Sequence, residues 1–562
     1  MINYLFKEKS LFMIYILFII LDGINVSLMA YFLKYSLDIT NTGKYSILNQ
    51  ACIIIFFYLL FYSFISWCSR RIKAVYITNT MYNLKKDLFQ SLMKHDIKKF
   101  SETNYSDYIS IFNNDLSLLE KNYFDSLFII IKNAVILIFS CIMLIYIQPI
   151  VALVGIILSC LPFLVTKVYG SKLAEATDNY SESLKKYNSI LKDNLVGFEI
   201  IKSYLIEANI ISLHDKENTN VEKNKKKSFY IKANADVATN FIAVGTQFAV
   251  YLVSGYFVIQ GKISAGGVIA ITQLMYKVVN PVFDIIQNTN NIKSVKTINN
   301  KIKSIINYDP KRKSLMNVNI ENEIVFDKVN FKYNSSNFQL RDITLHIESG
   351  KKYAIVGESG GGKSTIIKLL LGYFQNYTGN ITLDGINISD LSSENLYQLF
   401  SIMHQNVFLF DDSILNNITL YNEYKLEDIL GTIEKVGLSK YINNLQDNIY
   451  SKIEGNGSNL SGGEKQRIAL ARALIKNNKW VIMDEATSYL DNETFSTIEN
   501  LILSLRDVTC ITITHRYSKD ILEQYDKIFV LKNGELYEEG TFDELIAKKR
   551  LFYSLYTVFD SE

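Results

Sequence analysis

The fold of this chain is decided by one stretch, Gly357-Glu358-Ser359-Gly360-Gly361-Gly362-Lys363-Ser364-Thr365. It satisfies G-x-x-x-x-G-K-[ST], the pattern of a phosphate-binding P-loop. The apolar run 353–356 before it predicts a buried strand, and the run 366–371 after it predicts a helix. A glycine-rich turn without function is the alternative, but it does not explain an intact Lys-Ser-Thr in this context. We therefore predict an α/β domain that binds, and in the fuller hypothesis hydrolyses, a nucleoside triphosphate.

Each part of the loop has a physical role toward phosphate. Glycines let the backbone curl so that its N–H groups point at phosphate oxygens, at the positive end of the helix dipole. Lys363 adds a point charge for the β- and γ-phosphates, and Ser364 supplies a hydroxyl ligand for Mg²⁺.

Composition indicates a chain that is half membrane protein and half soluble protein. The 562 residues are 49% apolar and only 20% charged, a balance that a purely soluble enzyme does not have. The net charge of +3 is too small to indicate a nucleic-acid partner. Five cysteines without a C-x-x-C pair do not predict a disulfide or metal framework.

Six apolar stretches in the first half each approach the ~20 residues that a helix needs to cross a bilayer. They are 11–33, 48–68, 126–148, 150–170, 236–259 and 264–286. The first is too long for a cleaved signal peptide, so we expect it to be retained. We predict a six-helix transmembrane domain over 1–305, a linker over 306–322 and an ATPase domain over 323–562. The connections 69–125 and 171–235 are rich in lysine and arginine, which predicts that both loops, both termini and the ATPase domain face the cytoplasm.

Charged residues inside the apolar stretches have two interpretations. Asp22 and Lys132 could line a polar transport pathway or only pair structurally, and the sequence favours neither. For Lys277 and Asp284, near a cytoplasmic end, the structural interpretation is favoured. The run Lys223–Lys227 is interpreted as a solvated helix face.

A second part of the nucleotide site follows the predicted strand 480–483, which ends in Asp484-Glu485. A carboxylate at such a strand end holds Mg²⁺, usually through water, which is the role predicted for Asp484. Glu485, next to it, could orient or deprotonate the attacking water.

The stretch Leu460-Ser461-Gly462-Gly463-Glu464 opens a predicted helix over 465–475. Ser461 stands where a helix N-cap stands, and two glycines leave backbone N–H groups open to close approach. An ordinary capped helix does not explain both glycines. The stretch resembles the signature motif of ATP-binding cassette (ABC) proteins, and the resemblance extends over the whole chain.

This resemblance implies further site residues. Tyr333 in Phe331-Lys332-Tyr333 would stack on adenine, and Gln405 would reach Mg²⁺ and water and sense the membrane domain. Asp491 would be the carboxylate of the D-loop, and His515 would contact the γ-phosphate. The implied catalytic residues are Glu485, His515 and Lys363, and the implied Mg²⁺ ligands are Ser364, Gln405 and Asp484. Asp115, together with Gly197 and Ile201-Lys202, resembles the loop patterns that carry coupling helices.

Three positions depart from the family pattern. Glu464 stands where glutamine is usual, Glu454-Gly455 reverses a common Gly-Glu pair, and Tyr489 replaces a small D-loop residue. None of them removes a group that would bind metal or phosphate, so they bear on the rate of hydrolysis rather than on the family.

Six spans ahead of one cassette resemble the half-transporters of type I ABC exporters. The resemblance implies a dimer in which ATP lies between the P-loop of one subunit and the signature 460–464 of the other. A homodimer is favoured because Glu485 and His515 are both present, and a heterodimer stays open. The expected function is ATP-driven export by alternating access across the bacterial cytoplasmic membrane.

The substrate is less determined by the sequence. A peptide or an amphipathic small molecule is favoured, and the early first span leaves no room for an N-terminal peptidase domain. A multidrug or lipid exporter is the alternative within transport. An ATP-gated channel or a regulatory membrane subunit is the alternative of another class. The expected partners are a second half-transporter, membrane lipid and the transported solute, with no nucleic acid.

Overall fold

The computed structural model describes residues 2–40, 45–308, 319–333, 338–484 and 492–560. The chain divides into two compact units. The helical unit comprises Met1–Met93 and Asn104–Tyr308, and the α/β unit comprises Lys94–Thr103 and Asp309–Glu562. The predicted linker over 306–322 falls partly outside the described residues, so its bounds stay a prediction.

The helical unit is built from long helices joined by short turns. Its helices are α1 (Ile2–Leu5), α2 (Lys9–Thr40), α3 (Tyr45–Leu92), α5 (Tyr105–Ser110), α6 (Leu116–Leu119), α7 (Ser126–Ile147), α8 (Pro149–Ser159), α9 (Pro162–Val196), α10 (Phe198–Ser203), α11 (Glu207–Ile259), α12 (Ala265–Ser294) and α13 (Lys296–Ile306). Two π-helical segments, Ile111–Asp115 and Glu120–Asp125, join α5, α6 and α7 into one continuous rod. The short helix α4 (Ile97–Ser101) belongs to the α/β unit.

Within the part of the chain that the structure describes, five helical stretches are long and apolar enough to cross a membrane. They are Lys9–Ile39, Tyr45–Leu92, Tyr105–Ile147, Glu207–Ile259 and Ala265–Ser294. Many of their apolar side chains are exposed in this single chain, as lipid-facing residues are. The predicted helical membrane domain is thus confirmed as a class, and the count of six stays a prediction.

The fourth predicted span, 150–170, is covered by two helices instead of one. It begins in α8, which ends at Ser159, and continues into α9, which starts at Pro162. Proline has no backbone N–H, so it cannot complete the helical bond to the residue four positions earlier. The interruption at Cys160 and Leu161 is the local consequence, and it leaves an apolar helix shorter than a bilayer crossing.

Asp22 and Lys132, which the sequence left open, pair with each other. Lys132 Nζ donates to Asp22 Oδ2 at 2.5 Å, between α2 and α7. The Asp22 side chain is only 3% exposed, so the lysine supplies the countercharge that a buried carboxylate requires. Nearby, Asn133 Nδ2 donates to Asp284 Oδ2 at 3.1 Å. These contacts favour the structural interpretation of all three charged residues.

The α/β unit continues from Ile320, whose carbonyl accepts a hydrogen bond from Trp480 Nε1. Its strands are β1 (Glu323–Lys332), β2 (Gln339–Glu348), β3 (Lys352–Gly357), β4 (Tyr377–Leu383), β5 (Ile386–Asn387), β6 (Phe400–Met403), β7 (Trp480–Asp484), β8 (Thr509–Ile513), β9 (Lys527–Lys532) and β10 (Glu535–Gly540). Its further helices are α14 (Lys363–Leu370), α15 (Ser393–Leu399), α16 (Ile414–Thr419), α17 (Leu426–Lys435), α18 (Ser439–Asn443), α19 (Gly462–Leu474), α20 (Asn492–Leu503), α21 (Lys519–Leu522), α22 (Phe542–Lys548) and α23 (Leu551–Asp560).

Two sheets organise this unit. The larger has the order β10-β9-β3-β8-β7-β6, in which every pair except β10–β9 is parallel. The smaller, antiparallel sheet has the order β2-β1-β4-β5. All six residues of β3 are buried, and alternate side chains enter the two cores on opposite faces of the sheet. The carboxyl ends of β3, β8 and β7 therefore meet at one edge, where α/β sheets bind ligands.

Candidate nucleotide site

The P-loop has a backbone that only glycine can adopt at its two ends. Gly357, at the end of β3, has φ +140°, and a Cβ there would collide with the carbonyl oxygen of Leu531. Gly362 has φ +104°, and a Cβ there would meet the side chains of Leu340 and Phe338. Positive φ is strained for residues with a side chain, so the glycines are required for this loop shape.

Lys363 begins α14 and is held underneath the loop. Its side chain is buried, and Nζ donates to the carbonyl oxygens of Gly357 at 2.9 Å and Glu358 at 3.0 Å. Both acceptors are neutral carbonyl dipoles, and they hold the ammonium at the start of a helix. An anion bound in the loop would meet this charge together with the N-terminal amides of α14.

Ser364 and Asp484 lie next to each other, as the sequence predicts for an Mg²⁺ site. Ser364 Oγ donates to Asp484 Oδ1 at 2.9 Å, which joins α14 to the end of β7. A hydroxyl and a carboxylate are the oxygen ligands that Mg²⁺ prefers. Among the described residues, no group of three or more His, Cys, Asp or Glu could hold a metal alone. This donor set therefore fits an ion that completes its shell with phosphate oxygens and water.

A cavity of about 580 Å³ brings most of the predicted residues together. Its lining residues are Tyr333, Phe338, Ser359, Gly360, Gly361, Gly362, Lys363, Ser364, Thr365, Gln405 and His515. Gln405 follows β6 and His515 follows β8, so the parallel strands carry both to the same edge. Beside Gln405, burial lowers the pKa of His404, although the Asp484 carboxylate opposes the effect.

The aromatic end of the cavity contains a residue that the sequence did not single out. Tyr333 shares a hydrogen bond with Thr365 Oγ1 at 3.1 Å, and its ring centroid lies 6.3 Å from that of Phe338 and 5.2 Å from that of Phe374. Phe338 lines the cavity with Tyr333, whereas Phe374 does not line it. Phe338 belongs to no motif and cannot be distinguished in the sequence from any other apolar residue before a strand. Its position at the cavity is therefore seen only in the folded structure.

The signature residues are arranged separately. Leu460–Glu464 does not contribute to the cavity lining. Ser461 is the N-cap of α19, with Ser461 and Gly462 exposed. Within this chain the structure thus groups the P-loop, Asp484, Gln405 and His515, and the start of the signature helix does not line their cavity.

Two predicted residues, Glu485 and Asp491, lie outside the described residues, and so does Tyr489. Of the loop patterns, Asp115 ends a π-helical segment and accepts from Lys301 Nζ at 3.4 Å. The short helix α4 lies upstream of it, and the short helix α10 follows Gly197 directly and contains Ile201-Lys202.

Comparison with known proteins identifies the family. Residues 12–282 match the model of the ABC transporter transmembrane region, and residues 340–488 match the ABC transporter model of the ATPase. This chain is an ABC transporter. Its transmembrane region precedes its ATPase in one polypeptide, which is the exporter half-transporter layout, and it is a multi-pass membrane protein that couples ATP hydrolysis to transport.

Relatives of this ABC transporter include exporters with different described roles. A putative multidrug export ATP-binding/permease protein, YgaD of Bacillus subtilis, is 27% identical over 86% of this chain and 84% of its own length. The lactococcin-G-processing and transport ATP-binding protein LagD of Lactococcus lactis is 32% identical over 71% of this chain, but over only 58% of its own length. The solved structure of a bacterial Atm1-family ABC exporter with ATP bound covers 98% of both chains with a TM-score of 0.84. At 19% identity, that likeness shows the fold alone.

The aromatic pair of this transporter can be tested by truncation. We expect Phe338→Ala to weaken ATP binding about fivefold or more, because aromatic contacts to a base are worth ~1–3 kcal/mol. Fluorescent-nucleotide titration of the purified full chain measures the affinity. Phe374→Ala is the matched control, since it removes a ring that touches Tyr333 but does not line the cavity. Equal losses in both variants would mean that Phe338 acts only through packing.

Proposed function

We propose that this chain is one half of a homodimeric exporter in a bacterial cytoplasmic membrane, with both termini and the ATPase domain in the cytoplasm. It moves a peptide or an amphipathic small molecule outward at the expense of ATP. One observation carries the dimeric mechanism. The P-loop cavity of a subunit is lined without the signature, while Ser461 and Gly462 lie exposed at the start of α19.

The roles of the P-loop residues follow from their positions. Lys363 binds the β- and γ-phosphates, and the amides of 359–365 surround them at the N-terminus of α14. Ser364, Asp484 and Gln405 hold Mg²⁺, which neutralises phosphate charge when it is bound. Tyr333 and Phe338 bind the adenine end of the nucleotide.

Hydrolysis would need a base and an electrostatic partner beside the γ-phosphate. Glu485, which directly follows the strand carrying Asp484, accepts the proton of the attacking water. His515 and Lys363 stabilise the charge that develops on the phosphate. Closure across two subunits then adds Ser461 and Gly463 of the partner, so that ATP holds the cassettes together until it is cleaved.

Exposed apolar surfaces on both units support a partner subunit. Phe198 and Ile200 of α10 and Leu205 after it are large and exposed. On the α/β unit, Phe408 and Phe410 are also exposed and meet edge to face, with ring centroids 5.2 Å apart.

The backbone of this aromatic surface is hydrogen-bonded to the signature helix α19. Arg472 Nη1 donates to the Phe408 carbonyl at 3.0 Å, and its Nε donates to the Asn417 carbonyl at 2.9 Å. The Asn417 side chain in turn bonds the N–H and carbonyl of Phe410. We propose that the loop containing α10 docks on this surface of the other copy, which would pass cassette motion to the membrane helices.

The substrate proposal draws on a cavity of the helical unit. This cavity, of about 200 Å³, lies between α11 and α12. Its lining residues are Asn240, Ala243, Val244, Thr246, Gln247, Thr272, Met275, Tyr276, Val279 and Asn280. Among these described lining residues none is charged, and Tyr276 OH donates to Gln247 Oε1 at 2.9 Å.

A lining of neutral amides and apolar side chains can bind an uncharged solute that has amide groups of its own. It offers no countercharge to a cation, so a peptide segment fits better than a cationic drug. The two relatives support one alternative each, a multidrug exporter and a lactococcin transporter. A lipid exporter and an ATP-gated channel remain the other outcomes of a transport assay.

Complementation between inactive subunits tests the dimer. We expect Lys363→Ala and Ser461→Ala each to abolish ATPase activity as homodimers. Co-expressed with different tags and purified through both tags, the mixed dimers should regain up to about half of wild-type activity, because each contains one intact composite site out of two. No recovery in mixed dimers of proven composition would mean that P-loop and signature act within one subunit.

The base is tested by Glu485→Gln. We expect turnover to fall about a hundredfold or more, because removal of a general base costs ~10²–10⁴ in rate, while ATP binding is retained. Phosphate release and nucleotide affinity are measured on the same preparation. Glu434→Gln on α17, an exposed carboxylate, is the control for loss of one charge. Normal turnover in the Glu485 variant would refute the assignment.

The substrate class is tested in inside-out vesicles with two probes of similar size. An acetylated and amidated apolar peptide should stimulate ATPase activity and accumulate with ATP, and the cationic dye ethidium should not. Gln247→Leu should weaken the peptide response several-fold, because it removes an amide partner that lines the cavity. Gln273→Leu, the same change at an exposed position of α12 outside the lining, should leave it intact. Stimulation by ethidium that Gln247→Leu removes would favour the multidrug alternative.

A further inference from the structure

The carboxylate of Glu464 is folded back onto the start of its own helix. The main-chain N–H of Ser461 donates to Glu464 Oε2 at 2.7 Å, and the main-chain N–H of Glu464 donates to Ser461 Oγ at 3.3 Å. This reciprocal pair is a capping box at the N-terminus of α19. An amide and a hydroxyl at the proposed phosphate-binding helix start are therefore already engaged, one of them by an anion.

Two other helices of the same unit show whether a capping box needs a negative charge. Thr541 and Glu544 form the same carboxylate capping box on α22, with bonds of 3.0 and 3.4 Å. Ser392 and Asn395 form a capping box on α15 with an amide in the reciprocal position. Because an uncharged side chain can close the box, capping α19 does not require the negative charge of Glu464.

The charge of Glu464 also reaches its surroundings. Burial first, and then the Glu464 carboxylate, raise the pKa of the Tyr441 hydroxyl. Ser461 and Gly462 are exposed, so an anion approaching them from outside the subunit would meet the same field.

We propose that Glu464 is an electrostatic brake on composite-site formation. Its charge opposes the γ-phosphate that the partner's P-loop presents to Ser461, and its bond to the Ser461 amide must yield before that amide can bind phosphate. The inference rests on the proposed dimeric function. In this proposal Glu464 sets the ATP concentration at which the cassettes close, and it takes no part in the cleavage of ATP.

The test compares two identical substitutions. Glu464→Gln in the full-length dimer should lower the half-saturating ATP concentration for hydrolysis by about three- to tenfold, because removing a like charge at hydrogen-bond range strengthens binding by that order. The gain should shrink between 50 and 500 mM salt, since exposed charges are screened. Glu544→Gln makes the same change in the capping box of α22, and its half-saturating ATP concentration should stay at the wild-type value.

Thermal unfolding of both variants separates capping from charge. Similar small losses in Tm, with a shift in ATP dependence for Glu464→Gln alone, support the brake. An unchanged or raised half-saturating ATP concentration in Glu464→Gln overturns it.

Ser461→Ala in the same series keeps the two proposals apart. If Ser461→Ala abolishes hydrolysis and Glu464→Gln changes nothing, the brake alone is wrong. If Ser461→Ala is fully active, the composite site itself is wrong.

Discussion

The site depends on one buried cation, the Lys363 ammonium held by the carbonyls of Gly357 and Glu358. A buried ammonium is costly unless its donors are satisfied, and here neutral backbone dipoles satisfy two of them. The loop must curl around the side chain to present those carbonyls, and only glycine at 357 and 362 allows that backbone. A loop that holds a positive charge beside the N-terminal amides of a helix is suited to an anion. Ser364 and Asp484 add the metal-binding oxygens at the same place.

Strand order then determines which distant residues can join the loop. The sequence β3-β8-β7 in the larger sheet places the ends of three parallel strands side by side. Ser364 and Asp484 lie 120 positions apart in the chain and still come within hydrogen-bond distance. His515 and Gln405 arrive by the same rule, because each follows a strand of that sheet. The signature residues do not line the cavity, and in the proposed dimer the second subunit would supply them.

The sequence predicted the parts of this site that are encoded by short spacing. The P-loop, the acidic strand end and the signature each carry their chemistry within a few residues, so local pattern suffices. Phe338 could not be found that way, because it comes to line the cavity beside Tyr333 only after folding. The pairing of Asp22 with Lys132 was equally hidden, since it joins residues 110 positions apart on two helices. The break in the fourth span could have been predicted, because Pro162 removes a helical hydrogen bond. Hydropathy hides it, since the average over a whole span is insensitive to one residue.

The charged residues on the helices of the helical unit bear directly on what it can carry. Asp22 and Lys132 neutralise each other, so neither offers an isolated charge to a solute, and the exposed Asp284 accepts a hydrogen bond from Asn133. The polar groups that line the cavity between α11 and α12 are amides and hydroxyls, one pair of which is already joined by a hydrogen bond. A charged solute entering such a place would lose hydration without gaining a countercharge, whereas a peptide amide exchanges water for equivalent partners. Selectivity would then arise from the cost of desolvation, which is larger for an ion than for a neutral molecule. The cavity would exclude ions without favouring any one neutral molecule. A site of that kind tolerates variation in side chains and shape, which is what an exporter of apolar peptides or amphipathic molecules requires.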